Sequence, residues 1–128
     1  MFGDRVEIGK GVVLRRAVGS DFDVTFAIKK VAGGEYIREV FGWDDEVQVG
    51  FHRRQFSPEN TYLIMLEGEI VGWISVSDEE EFSKVDELYV LAEFQNRGVG
   101  TAVLAEAIEQ AAGRRVPVSY THLRAHET

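Results

Sequence analysis

LYVLAEFQNRGVGTAVL, residues 88 to 104, is the stretch on which the reading of this chain turns. Leu88, Tyr89 and Val90 close a β-rich run from Lys84 to Leu91. Past Gly98, Gly100 and Thr101, the apolar positions Val103, Leu104, Ala107, Ile108 and Ala111 recur at helical spacing and stop at Gly113, which predicts a helix. Glycines between a strand and a helix let backbone N–H groups come close to an anion, and the helix N-terminus adds about half a positive charge. Gln95 to Thr101 therefore reads as a pyrophosphate cradle, with Arg97 and the Thr101 hydroxyl as further donors. A P-loop is excluded because its Lys-Ser/Thr pair is absent, and the dinucleotide fingerprint needs a third glycine in an early βαβ unit. Taken alone, Gly98 and Gly100 fit a plain strand-to-helix turn equally well.

Upstream, Gly11 to Ala17 carries Val12, Val13 and Leu14 and predicts a first strand, while residues 1 to 10 are assigned no element. Ser20 opens SDFD, a capping-box spacing with Asp23 at the third helical position. The helix that follows, with Phe22, Phe26 and Lys29/Lys30 at helical spacing, is expected to end at Gly33 and Gly34. Glu35 to Phe41 predicts a second helical piece, and Asp44 or Asp45 caps a third that runs toward Gln55 before Pro58. Tyr62 to Leu66, a turn at Glu67, Gly68 and Glu69, and Ile70 to Val76 form a hairpin; Ser77 to Glu81 is an acidic loop.

The chain has 128 residues, 45% hydrophobic and 28% charged, which suits one globular domain. With 22 acidic against 14 basic residues, the net charge of -8 disfavours a nucleic-acid role; it reads first as ordinary solubility charge, with attraction of a cationic substrate as the other reading. Apolar runs fall far short of a membrane span, and Asp4, Arg5, Glu7 and Lys10 leave no signal-peptide core. Absence of cysteine excludes disulfides, thiolate metal sites and thiol nucleophiles and makes a reducing cytoplasm the default address. No metal site is expected.

The run Gln95 to Gly100 resembles the Gln/Arg-x-x-Gly-x-Gly/Ala signature of the GNAT N-acetyltransferase superfamily, and ELYVLAEFQ before it resembles that family's fourth strand. The element order from residue 11 to 113, a strand, two helices, three strands and a helix, is also similar to the family's. The resemblance implies an α/β (α+β) GNAT acyl-CoA N-acyltransferase fold with a mixed, mostly antiparallel sheet. It implies acetyl-CoA as cosubstrate, with the pantetheine arm along Leu88, Tyr89 and Val90. The pyrophosphate is implied to rest on the N–H groups of Gln95, Asn96, Arg97, Gly98, Val99, Gly100 and Thr101. The partner it implies is an amine acceptor; a homodimer is compatible with this reading.

The implied reaction is attack of an amine on the acetyl thioester. An alkylammonium with a pKa near about 10 must first lose its proton. Strand alternation puts Glu87 and Tyr89 on one face, opposite Leu88 and Val90, so Glu87 is the base candidate; an ion-paired or solvated strand carboxylate is the other reading. The acceptor pocket is expected from the helices before the hairpin, with Tyr36, Trp43 and Phe51 as its aromatics, although Trp43 also suits the core. His52 reads as a second-rank acid or base or as a solvated helix residue, and Glu79 to Glu81 as loop solvation or the rim of a site for cations. Rival readings are a non-catalytic acyl-CoA-binding module and a plain α/β domain.

VSYTHLRAHET, residues 118 to 128, resembles a translated sequencing-library adapter and no part of an acetyltransferase. The expected organisation is a partial GNAT domain over residues 1 to 117, which breaks off as Arg115, Val116 and Pro117 begin a further strand, followed by a non-native tail. His122 and His126 then lose any metal or catalytic reading. A chain so cut is expected to be poorly stable and inactive.

Overall fold

Residues 1 to 120 are described by a computed structural model. Its strands form one six-stranded sheet in chain order: β1 (Arg5–Glu7), β2 (Val12–Arg16), β3 (Thr61–Leu66), β4 (Glu69–Asp78), β5 (Ser83–Val90) and β6 (Val118–Tyr120). All neighbours are antiparallel except β5 and β6. The helices are α1 (Phe22–Phe41), α2 (Asp45–Gln55) and α3 (Val99–Gly113). The mixed, mostly antiparallel sheet is the one the family resemblance implies.

Period-two alternation gives each strand a side for each helix layer. Val12, Leu14, Tyr62, Ile64, Ile74, Leu88 and Val90 face Val99, Val103 and Ala107 of α3 in the larger core. On the opposite face, Leu63 and Trp73 pack with Ile28 of α1. The sheet thereby separates the two layers, and β5 touches both α1 and α3.

Four local expectations need correction. Residues 1 to 10 do contain a strand, since β1 pairs Val6 with Leu14. Ser20 is not the cap: a short 3-10 turn over Gly19–Asp21 precedes α1, and the Asp21 carboxylate accepts from the Val18 N–H at 2.9 Å. Gly33 and Gly34 do not stop the helix, because α1 runs unbroken to Phe41 and ends at Gly42, whose φ is 75°. Their smallness answers a packing demand instead. A Cβ on Gly33 would sit 2.7 Å from Tyr89 Cε1, and one on Gly34 would lie 3.6 Å from the Trp43 ring. Finally, the strand expected from Arg115 begins at Val118, inside the segment expected to be foreign, because Arg115 takes a left-handed φ of 61° that ends the preceding turn. Asp44 does cap α2, accepting from the Val47 N–H at 3.1 Å. His122 and His126 lie outside the described residues.

Candidate active site

Strand β5 carries the site, and a bulge shapes it. Ser75 pairs with Glu87 and Val76 with Val85, so Asp86 has no partner on β4 and joins Glu87 on the α1 face. Farther along, the Leu91 N–H bonds the Val71 carbonyl at 2.9 Å. Antiparallel alternation then turns the peptide groups of Tyr89 and Glu87 toward β4 and those of Leu88 and Val90 toward the other edge. Among the described residues, β6 borders that edge only at Ser83 to Val85. From Leu88 onward this edge has no strand neighbour among the described residues, and the Val90 carbonyl there accepts from Gln95 Nε2 at 2.8 Å.

The chain leaves this edge through a 3-10 turn at Ala92–Phe94 and two left-handed residues, Asn96 at φ 62° and Gly98 at φ 80°. Both residue types tolerate that conformation. The result sets the head of α3 beside Val90, around a hollow of about 50 Å³ lined by Gln95, Asn96, Gly98, Val99, Gly100 and Thr101. Gly98 caps α3 with no side chain, and the first turn holds no acid, so the leading N–H groups are presented to an anion. Open space surrounds Gly98. These features fit a pyrophosphate. Arg97 stands apart from the lining, its guanidinium 5.5 Å above the Phe94 ring.

On the other side of β5 lies a cleft of about 960 Å³, walled by α1, α2 and the cleft-facing residues of β4 and β5. Tyr36, Phe41 and Phe51 supply its aromatic surface; Glu35, Glu39, Asp86 and Glu87 supply carboxylates, and Lys29 is the single cation among the lining residues. Trp43 does not line it: the indole packs on Phe26 at 6.1 Å and donates to Asp45 Oδ1 at 2.5 Å. Lys30 and then Trp43 hold the exposed Asp45 carboxyl below its ordinary pKa.

Glu87 is partly exposed at the cleft and is ion-paired. Its Oε2 meets Lys29 Nζ at 3.2 Å and accepts from the Tyr89 hydroxyl at 2.9 Å. Burial, and then the Glu87 charge, push the Tyr89 phenol far above its usual pKa, so it remains a donor. Asp86 is also occupied, by Ser77 at 2.5 Å and Lys84 at 3.4 Å.

His52 is not a solvated residue. It is fully buried among Phe22, Phe26, Phe56 and Trp73, with ring centroids 4.9 to 5.7 Å away. The Thr25 hydroxyl donates to the Phe22 carbonyl, so at 2.8 Å it accepts from His52 Nε2–H, leaving Nδ1 unprotonated and without a partner. Desolvation, and then the Lys29 charge, push the imidazole down to about 4. It joins α2 to α1 and the sheet as a neutral ring and does not reach the cleft lining. Sequence reasoning missed Lys29, Asp86, Glu35 and Glu39. Only Lys29 left a signal, as a charge on the same helical face as Thr25.

Residues 32–127 match the acetyltransferase (GNAT) family. The chain belongs to this family. In solved structures it is similar to an acetyltransferase from Pyrococcus horikoshii, with a TM-score of 0.64 and 21% identity over 88% of this chain and 39% of that one. It is also similar to the PaiA N-acetyltransferase of Thermoplasma acidophilum in complex with coenzyme A, with a TM-score of 0.64 and 12% identity over 82% of this chain and 74% of that one. A third is an aminoglycoside acetyltransferase from an uncultured soil sample in complex with sisomicin, with a TM-score of 0.56, 16% identity, and coverage of 92% and 82%. This GNAT chain thus spans well under half the length of the Pyrococcus protein. No curated protein matches the sequence.

Proposed function

We propose that this GNAT domain serves transfer of acetyl from acetyl-CoA to a primary amine in a ternary complex. One observation carries the reading: the anion-receiving head of α3 runs directly into the edge of β5 that has no strand neighbour among the described residues, and the other face of that strand floors an acidic cleft. Bound acetyl-CoA supplies an activated acetyl thioester. The N–H groups at the head of α3 hold its pyrophosphate, and the Leu88 carbonyl and the Val90 N–H offer hydrogen bonds to the amides of the pantetheine arm. Tyr36, Phe41 and Phe51 receive the acceptor's apolar part, and Glu87 takes the proton from the entering ammonium, directly or through one water. Release of CoA thiol, followed with a thiol reagent across a panel of amines, tests this: turnover that disappears in Glu87→Gln is the expected result.

A non-catalytic acyl-CoA-binding module is the second reading, favoured by the engagement of Glu87 Oε2 with both Lys29 and Tyr89. CoA binding without turnover for any amine would select it. We also propose that residues 118 to 128 are an adapter-derived tail on the GNAT domain. Reading the source DNA past the codon for Pro117 decides this point.

A further inference from the structure

The cleft has one cation on its wall, and that cation is almost wholly inside the protein. Lys29 is 6% exposed, yet it lies on the helix face that carries Thr25 and Ile28, where an apolar residue would pack without desolvating a charge. Its ammonium reaches Glu87 Oε2 at 3.2 Å and Gln55 Oε1 of α2 at 3.4 Å. A buried ion pair contributes little stability relative to apolar side chains of the same volume, whereas stripping one partner from the other is costly. Stability therefore gives no reason for a lysine here. The geometry of Glu87 does give one.

Two donors meet the Glu87 carboxylate, and the other charged groups on the cleft wall, Asp86, Glu35 and Glu39, are carboxylates. From its own strand, Tyr89 donates to Oε2 with a phenol that stays protonated, and Asp86 is already bound to Ser77 and Lys84. From α2, His52 is neutral and held by Thr25. Lys29 is thus the only positive charge within ion-pairing distance of Glu87 among the described residues. Both donors engage Oε2, leaving Oε1 to meet whatever enters the cleft.

We propose that Lys29 is the positioning residue of this site: its ammonium, with the Tyr89 hydroxyl, clamps Glu87 by one oxygen and keeps the carboxylate aimed to receive the acceptor's proton through the other. The proposal rests on the reading of Glu87 as the base. Lys29 does not touch the acceptor; it acts through Glu87.

The test compares Lys29→Met, Lys29→Arg and Glu87→Gln. In the present chain with ¹³C-labelled glutamate, the Glu87 Cδ resonance, assigned by its loss in Glu87→Gln, should shift in Lys29→Met and return in Lys29→Arg. An unchanged resonance in a folded Lys29→Met protein overturns the clamp without any assay of activity. If Lys29→Met fails to fold, Lys29→Arg alone decides, because retention of the wild-type Glu87 resonance is required of it. In the protein expressed from the source gene, kcat should fall about tenfold in Lys29→Met while the Kd for acetyl-CoA is unchanged. That loss of kcat should be restored by Lys29→Arg. Wild-type turnover in Glu87→Gln overturns the base reading and the proposal with it. An inactive Glu87→Gln beside a fully active Lys29→Met overturns the role of Lys29 alone.

Discussion

The two halves of the site are built from different material. The cradle at the head of α3 is made of backbone: left-handed turns at Asn96 and Gly98 and uncapped N–H groups, all within a dozen residues of Val90. Side chains make the cleft, and they arrive from positions as distant as Lys29 and Tyr89, on two helices and three strands. A backbone site needs a local conformation and little else, so it tolerates change in most side chains. The cleft depends on tertiary packing and can change its chemistry one residue at a time. β5 joins the two, with Leu88 and Val90 turned to the cradle edge and Asp86 and Glu87 to the cleft.

The most severe break of this contrast falls where both halves depend on one contact. A Cβ on Gly72 would lie 2.1 Å from the Tyr89 carbonyl oxygen, so Gly72→Val drives β5 away from β4. No cooperative unfolding transition is expected by circular dichroism.

A large but pH-limited effect belongs to the cleft side alone. His52 falls from an ordinary value near 6.5 to about 4 on folding, so the unfolded chain binds its proton more readily. Its contribution to stability is complete above about pH 6.5 and is lost as the pH drops toward 4, a difference of up to about 3 kcal/mol. Thermal melts of wild type should show this decline, and melts of His52→Leu should lack it.

On the cradle side, Gly98→Val forces a β-branched residue into φ 80°, costing about 1–2 kcal/mol of stability. It should weaken CoA binding at least tenfold by calorimetry while leaving the emission of Trp73, which lies beside the cleft floor, unchanged. The smallest effect is expected at the cleft rim. Glu35→Gln, an exposed change, should alter stability by less than about 0.5 kcal/mol and raise KM for a diamine about twofold, with no effect on CoA.

This division also decides what could be read before folding. The cradle was legible because glycine spacing after a strand speaks directly about backbone, and the hairpin at Glu67 and Gly68 was legible for the same reason. Glu87 and Tyr89 could be assigned to one face by alternation, yet the ion pair with Lys29 could not, since 58 residues of chain separate the partners and no local rule couples them. Gly33 was misread as a helix stop because its reason, the Tyr89 ring, lies across the fold. His52 was misread because Arg53 and Arg54 beside it suggested solvent, whereas a helix turns each residue by about 100° and can bury one while exposing the next two.

The unpaired residue at Asp86 has a consequence for how such a domain can diversify. Val85 and Leu88 stay on the α3 side, and Glu87 and Tyr89 on the cleft side, whether or not an extra residue stands between Val85 and Glu87. Position 86 is therefore free of both cores. A single substitution there, or loss of its one codon, changes the charge and floor of the acceptor cleft while the cradle and packing remain in phase.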